Sequence, residues 1–195
     1  MVEAAPITHP AQGAWTYDDY LALPDDGNRY EIIEGVLYMV NAPGYDHQFA
    51  VVQLIKKIGA FVDEHHFGEV LTAPFEVHLS ERTRPVQPDV LVIRATDQLA
   101  ANARFFAGAP ALVVEVMSPS SVRTDQVIKF SAYEAAAVPE YWLVNPKTRS
   151  VEVFTLSGGE YALLGQYTDD EVIASKVLAG LAITTSTLFV RNTRG

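Results

Sequence analysis

The sequence predicts an α/β or α+β fold, in which helices cover the faces of a mixed central sheet. Two apolar, β-branched runs, 90–93 and 111–117, are followed by a helix-compatible stretch and a third apolar run, 141–144. A strand, a crossover helix and a further strand in this order predict a parallel pair. Two alternating runs between residues 151 and 167, separated by a Gly-Gly pair, predict a C-terminal β-hairpin.

Length and composition fit one globular domain. The chain has 195 residues, of which 49% are hydrophobic, and this composition excludes an intrinsically disordered chain. Every apolar run is shorter than the roughly 20 residues of a membrane span, and the first residues lack the basic and apolar regions of a signal peptide. We therefore expect a cytoplasmic protein without a membrane partner, with a loose tail over residues 1–14 and a single domain over residues 15–195.

The cysteine content and the net charge exclude several kinds of functional site. The chain has no cysteine, which excludes disulfides, thiolate zinc sites and cysteine nucleophiles. A formal net charge of −10 argues against a general electrostatic attraction to nucleic acid. The stretch from Arg82 to Arg149 nevertheless holds eight basic and six acidic residues. Any nucleic-acid contact is therefore expected to be local.

The first predicted elements are a short helix and a strand. Thr16 to Asp19 resembles an acidic capping box and opens a helix that should end before Pro24. Residues 30–40 read as one strand, with Gly35 as a bulge or kink.

The next elements are a long helix and three strands. Between residues 46 and 65 the apolar residues recur at helical spacing, which predicts an amphipathic helix with one buried side. A strand is expected over residues 69–79, followed by an Arg- and Pro-rich turn over 80–88. The apolar runs 90–93 and 111–117 are the other two of these three strands.

The C-terminal part begins with a helix. Ser118-Pro-Ser-Ser121 supplies a stop, a proline and an N-cap, so a helix is expected over residues 121–137, ended by Pro139. The strand 141–144 and the hairpin follow. Residues 181–189 predict a short strand and a turn of helix.

Glu115 is the most informative single residue. It lies in Ala-Leu-Val-Val-Glu-Val-Met (residues 111–117), a run typical of a strand buried on both faces. An ionised carboxylate in such a place is strongly unfavourable without a partner. Glu115 must therefore pair with a cation, bind a metal, or lie at the exposed end of the strand. The structural alternative is a carboxylate that an arginine neutralises.

Asp89 stands between Pro88 and the apolar strand 90–93. Pro-Asp is a common turn dipeptide and on its own favours a structural role. Because Asp89 opens one strand and Glu115 lies in the next, neighbouring strands can place both carboxylates at one edge of the sheet. Two hard oxygen ligands, with water completing the shell, suit Mg²⁺ or Mn²⁺.

Lys129 lies at the border of the buried arc of the helix 121–137 on a helical projection. A lysine in this position either extends to solvent or turns inward over the sheet, and both alternatives remain open at this point. The helix begins a few residues after Glu115 and crosses the same sheet. An inward Lys129 would therefore meet the carboxylates.

Several stretches, taken in order, resemble the PD-(D/E)XK nuclease core and, more narrowly, the Uma2 family of restriction-endonuclease-like proteins. Pro88-Asp89 is followed, after a gap of 25 residues, by Glu115-Val116-Met117 in an apolar strand. The supporting stretches span nearly the whole chain and are Arg29–Gly35, His47 at a helix start, Gln87–Val90, Val114–Ser121, Asp125 with Lys129, and Val138–Pro146.

The sequence departs from the superfamily pattern at one position. Two residues after Glu115, where the superfamily usually has lysine, stands Met117, which can neither carry a proton nor contact a phosphate. In this branch Lys129, on the following helix, matches the missing lysine.

The resemblance implies a restriction-endonuclease-like domain and a role for each matched residue. The catalytic residues would be Asp89, Glu115 and Lys129, with Glu31 as a further acid near the site. Asp89, Glu115 and the backbone carbonyl of Val116 would bind Mg²⁺ or Mn²⁺. Lys129 would orient the attacking water or stabilise charge in the transition state.

Three arginines would contact substrate phosphates if the resemblance holds. They are Arg123 near the helix start and Arg82 and Arg84 in the preceding loop. The alternative for each is ordinary surface charge.

The implied function is a metal-dependent endonuclease that hydrolyses phosphodiester bonds in DNA. Two active sites suit double-strand cutting, so a homodimer is expected, with the hairpin 151–167 as a candidate interface. One alternative is a nuclease-fold dimer that no longer cleaves and serves as an interaction module, which Met117 and the acidic charge favour. Another is a glycosidase in which Asp89 and Glu115 form the acid pair.

Overall fold

The structure, a computed structural model, describes residues 9–97, 99–118 and 124–190. The helices are α1 (Tyr17–Leu21), α2 (Tyr45–Glu64) and α3 (Phe130–Ala135), with a π-helical segment over Thr124–Lys129 and 3₁₀ turns at Ala95–Asp97 and Thr185–Leu188. The strands are β1 (Arg29–Ile33), β2 (Val36–Val40), β3 (Gly68–Thr72), β4 (Glu76–His78), β5 (Val90–Arg94), β6 (Phe105–Ala107), β7 (Leu112–Val116), β8 (Glu140–Asn145), β9 (Ser150–Ser157), β10 (Glu160–Thr168), β11 (Val172–Ile173) and β12 (Ile183–Thr184).

The main sheet is mixed, as the sequence predicts. Its strand order is β10-β9-β8-β7-β5-β3. β7 and β8 run parallel, and the other neighbouring pairs run antiparallel. The parallel pair is the one that the α3 crossover joins, and the β9–β10 hairpin turns at Gly158 and Gly159. The predicted fold class is therefore confirmed.

The central strands are buried on both faces, which explains their uninterrupted apolar sequences. All five residues of β7 are buried. On one face, Leu54 and Ile58 of α2 pack in a cluster with Val114. On the other face, Tyr133 of α3 packs in a cluster with Tyr141. α2 thus buries the side that its helical spacing predicts. No helix in the described ranges is both long and apolar enough to cross a membrane.

The predicted strand 30–40 is wrong in one respect, because the chain reverses in its middle. β1 and β2 pair antiparallel, and Glu34 and Gly35 both have positive φ, 52° and 73°, as a two-residue hairpin turn requires. A Cβ on Gly35 would lie 2.5 Å from the carbonyl oxygen of Gly13. Gly13 also donates its backbone N–H to Gly35 at 2.8 Å. Gly35 therefore permits both the turn and this close approach.

The predicted strand 69–79 is also wrong in extent, because it is broken between β3 and β4. Pro74 lies in the interruption and has no N–H to donate to a strand ladder. β4 leaves the main sheet and pairs with β6, and β6 and β11 were not expected from the sequence.

The capping box at Thr16 is confirmed by reciprocal bonds with Asp19. Residues 1–8 of the expected tail lie outside the described residues. The start of the expected helix 121–137 does so too, and the described helix ends earlier than Pro139. Ala137 has a φ of 58°, and Val138 donates to the carbonyl of Tyr133 at 3.0 Å, which is a Schellman ending.

Strand register brings the two key carboxylates together. β5 pairs antiparallel with β7 so that Val90 is opposite Val114. Continuing this register by one residue places Asp89 opposite Glu115. The two acids, 26 positions apart in the chain, are therefore neighbours across one strand pair.

Glu140 shows that a buried carboxylate can be purely structural. It is fully buried and accepts hydrogen bonds from Trp142 Nε1 at 2.8 Å, Ser175 Oγ at 2.6 Å and two backbone N–H groups. We expect Glu140→Ala to lower the free energy of unfolding by about 3 kcal/mol, because four donors lose their acceptor. Urea unfolding checks this, with exposed Glu160→Ala as the control. A loss no larger than that of Glu160→Ala would contradict this account of Glu140.

Candidate active site

A pocket of about 90 Å³ opens where β5 and β7 meet β1, β2 and the start of α2. The acidic and basic side chains that line it include Arg29, Glu31, His47, Asp89, Glu115 and Lys129. The structure thus brings together the four residues proposed as catalytic, Asp89, Glu115, Lys129 and Glu31. Val116, the proposed backbone ligand, lines the same pocket.

Asp89 is held at the pocket by two donors. Its Oδ2 accepts the backbone N–H of Val116 at 2.8 Å and lies 3.0 Å from His47 Nε2. The side chain is 15% exposed. Within the described residues, the other oxygen, Oδ1, has no hydrogen-bond partner. One oxygen therefore fixes the carboxylate, and the other remains available for a ligand.

Glu115 is 3% exposed and bonded to the helical layer above the sheet. Its Oε1 accepts hydrogen bonds from Lys129 Nζ at 3.0 Å and from Tyr133 OH at 2.6 Å. Of the sequence alternatives, pairing with a cation is the one observed, and the cation is Lys129 instead of an arginine.

Lys129 turns inward and is 5% exposed. Its Nζ lies 3.0 Å from Glu31 Oε2 and 3.0 Å from Glu115 Oε1. The residue ends the π-helical segment Thr124–Lys129, and such segments often occur at functional sites. The ammonium group bridges the two carboxylates, so the solvent-exposed alternative does not hold.

Glu31 is the second buried carboxylate at Lys129, with 2% exposure. Its Oε1 also accepts the backbone N–H of Gln87 at 2.7 Å. Glu31 therefore ties β1 to the segment that leads into Asp89. Glu34, three residues later, lies in the β1–β2 turn and pairs with Arg82 at 3.4 Å.

Tyr133 keeps its proton at the site. Burial above all, and then the nearby charges of Glu115 and Glu31, raise the pKa of its phenol well above the ordinary value of 10.0. The hydroxyl therefore remains a donor to Glu115. Because the folded pKa is raised, the stability linked to this proton is complete below about pH 10 and is lost as the pH rises further.

We expect Tyr133→Phe to lower the free energy of unfolding by about 1–2 kcal/mol at neutral pH, because Glu115 loses a donor. Above pH 10 the stability of the variant should fall less steeply than that of the unchanged protein. Urea unfolding across this range measures both effects, with Tyr167→Phe in the β9–β10 hairpin as the control. Equal slopes for the unchanged protein and Tyr133→Phe would contradict the proposed protonation.

Two of the three predicted phosphate contacts, Arg82 and Arg84, are not brought to the pocket. Arg82 pairs with Glu34 and donates to the carbonyl of Glu34 at 3.0 Å, and Arg84 pairs with Glu81 at 2.5 Å. Neither arginine lines the pocket. Arg123 lies outside the described residues. A phosphate contact by these arginines stays a prediction.

The sequence places His47 at a helix start, where it could approach the cleft or make only helix-start polar contacts, and nothing in the sequence pairs it with Asp89. In the structure it lines the pocket and contacts Asp89. The imidazole is 9% exposed, and its Nδ1 is buried without a hydrogen-bond partner in the described chain.

The donor set fits a magnesium-type ion that keeps much of its water. Among the residues that the structure describes, no three His, Asp or Glu side chains converge to hold a metal. Asp89 and Glu115 together provide two carboxylates beside the backbone of Val116. Mg²⁺ is commonly held by one or two carboxylates and retains several waters. A softer ion with a full protein shell does not match this set.

Comparison with known proteins is consistent with this geometry. The family model described as "Putative restriction endonuclease", Uma2, matches residues 17–186. A crystal structure of "a putative nuclease belonging to DUF820 from Anabaena variabilis" superposes with a TM-score of 0.75 and 20% identity, covering 89% of this chain and 97% of that one. At this identity the similarity shows the fold alone. No curated protein matched the chain.

Proposed function

Because the chain belongs to the Uma2 family of restriction-endonuclease-like proteins, which supports a nuclease, we propose that it is a metal-dependent endonuclease that hydrolyses phosphodiester bonds in DNA. The observation that carries the proposal is the meeting of Asp89, Glu115 and Lys129 in one pocket. Lys129 Nζ lies 3.0 Å from Glu115. It therefore brings an ammonium group to the acids although Met117 occupies the usual lysine position.

Asp89, Glu115 and the backbone carbonyl of Val116 would hold Mg²⁺ or Mn²⁺. The chemistry that such a cation supplies when bound is polarisation of a phosphodiester oxygen and increased acidity of the attacking water. The chain's contribution is to fix the two carboxylates. Val116 and His47 fix Asp89, and Lys129 and Tyr133 fix Glu115.

Lys129 would supply positive charge where negative charge develops on the phosphate oxygens. Such preorganised charge lowers the barrier because it needs no rearrangement during the reaction, and its effect is larger where water is excluded. Glu31 positions the ammonium by accepting hydrogen bonds from it. Glu31 is therefore a positioning residue in this proposal, and Lys129 is the group that would touch the substrate.

The experiment is incubation of supercoiled plasmid with the protein and Mg²⁺ or Mn²⁺, followed by gel electrophoresis. We expect nicked and linear products that a chelator suppresses. Parallel incubations use an RNA and a glycoside as substrate. Cleavage of the RNA but not of the DNA would mean that RNA is the substrate, and glycoside hydrolysis that survives the chelator would favour the glycosidase alternative. Nucleic-acid binding without cleavage would favour the interaction module.

We also propose a homodimer, because cutting both strands of a duplex needs two sites. The observation that supports it is β10, an edge strand of the main sheet on which Leu163 is 55% exposed. An unpaired strand edge is a template for pairing with another chain. Light scattering should give twice the chain mass of 21.4 kDa, and a monomer mass at working concentration would contradict the dimer.

A further inference from the structure

Arg29 brings to the pocket a positive charge that no carboxylate of the described residues neutralises. It is the first residue of β1, is half-buried and lines the pocket beside Asp89 and Glu115. Within the described residues, its guanidinium makes neither a hydrogen bond nor an ion pair. This differs from Lys129, which bridges two carboxylates, and from Arg82 and Arg84, which pair with glutamates outside the pocket.

The alternation of β1 explains why Glu31, the nearest acid on the same strand, does not pair with Arg29. Arg29 and Glu31 are two positions apart and therefore project from the same face of the strand. Both Glu31 oxygens are already in use: Oε1 accepts the N–H of Gln87, and both oxygens lie within 3.1 Å of Lys129 Nζ. Glu31 therefore pairs with Lys129 and Gln87 and not with Arg29. The guanidinium of Arg29 can then bind a ligand.

The start of α2 also favours an anion in this pocket. Asn41, Pro43 and His47, around the start of α2, line the pocket as well. The N-cap of this 20-residue helix is Gly44, which has no side chain to make the capping hydrogen bond. The amino end of a helix carries free N–H groups and a partial positive charge, which together favour phosphate.

Resting on the proposed function, we propose that Arg29, in the pocket that residues at the amino end of α2 also line, binds a phosphate of the nucleic-acid backbone. A planar guanidinium can donate hydrogen bonds to two oxygens of one phosphate at once. Such a contact fixes the position of the nucleic-acid backbone in addition to attracting it. Among the described residues, the lining side chains include three carboxylates, Glu31, Asp89 and Glu115, and two basic groups, Arg29 and Lys129. A divalent cation held by these carboxylates would offset their negative charge and so favour a phosphodiester. Phosphate binding should therefore require the metal.

The test is the anisotropy of a short fluorescein-labelled DNA duplex, titrated with protein at low temperature, in Mg²⁺ or in chelator, over a series of salt concentrations. Gels verify that the duplex stays intact. We expect Arg29→Ala to weaken binding in Mg²⁺ by about 10- to 100-fold and to reduce the slope of log affinity against log salt by about one. Arg29→Lys should keep the slope and bind less tightly than the unchanged protein, because bidentate contact is lost.

The control variant is Arg104→Ala, which removes an exposed arginine that does not line the pocket, and its affinity should stay unchanged. Circular dichroism and thermal melting verify folding, and Arg29→Gln replaces Arg29→Ala if the latter does not fold. Unchanged affinity in both Arg29 variants would overturn the inference, as would weaker binding with an unchanged salt slope, which marks a structural role. If the unchanged protein cleaves DNA but Arg29 has no effect, only this inference fails. If the unchanged protein neither binds nor cleaves, the proposed function fails with it.

Discussion

Replacing Asp89 with asparagine is expected to reduce phosphodiester cleavage about 100- to 1000-fold and to leave the fold intact. The amide has nearly the shape of the carboxylate, and its oxygen can still accept the N–H of Val116. It lacks the negative charge that holds a divalent cation, and removing one electrostatic element of an active site commonly costs two to three orders of magnitude. The rate of plasmid nicking in Mg²⁺, measured as a time course, checks this expectation.

The matched control is Asp63→Asn, which makes the same chemical change at an exposed position near the end of α2. Equal nicking by Asp89→Asn and the unchanged protein would mean that a contaminating nuclease is being measured or that Asp89 has no role. Loss of nicking in Asp63→Asn as well would indicate a general effect of charge. Circular dichroism and urea unfolding verify that both variants are folded.

Lys129→Met is expected to lose both stability and activity. The variant keeps the length of the side chain but leaves Glu31 and Glu115, with 2% and 3% exposure, buried together without a cation. Removing one partner of a buried ion pair typically lowers the free energy of unfolding by about 3–5 kcal/mol. Cleavage should fall at least about 100-fold, because the charge near the reacting phosphate is lost. Urea unfolding and plasmid nicking measure the two effects.

A second substitution separates the two causes. Adding Glu31→Gln to Lys129→Met removes one of the stranded charges and should restore part of the stability, but no activity. Lys56→Met, at an exposed position of α2, is the control and should change neither quantity appreciably. Recovery of cleavage in the double variant would contradict a role for the ammonium group in the reaction.

The part of the fold that the sequence predicts is the part with strong periodicity. The apolar residues of α2 recur at helical spacing, and those of the buried strands β5, β7 and β8 form short, nearly uninterrupted runs. Each pattern therefore indicates one type of secondary structure. The crossover between β7 and β8 then determines their parallel pairing. The sequence predicts one strand in place of the β1–β2 hairpin because Gly35 also suits a bulge, and the positive φ of Glu34 leaves no signal in the sequence. β6 and β11 are too short to show a period.

The site could be predicted from the sequence only where a charged residue interrupts an apolar run. Glu115 interrupts a doubly buried strand, so a partner was required, and neighbouring strands made Asp89 a reasonable companion. The inward turn of Lys129 could not be decided from a helical projection, because the residue lies at the border of the buried arc. The pairing of His47 with Asp89 depends on how α2 packs on the sheet. That packing is a tertiary property that no local pattern encodes.

The position of Arg29 in the pocket could not be predicted for a related reason. In the sequence Arg29 is an arginine at the start of a strand, where surface charge is common. Its position becomes informative only once Glu31, on the same face, is seen to be saturated by Lys129 and Gln87.

The measurement that tests the central claim most directly is calorimetric titration of the protein with Mn²⁺, comparing Asp89→Asn with the control Asp63→Asn. If the two strand-end carboxylates hold the ion, the unchanged protein and Asp63→Asn will bind Mn²⁺ with the same affinity, and Asp89→Asn will show no binding at that site. Mn²⁺ binding that is the same in all three proteins, or absent from all three, would contradict the account.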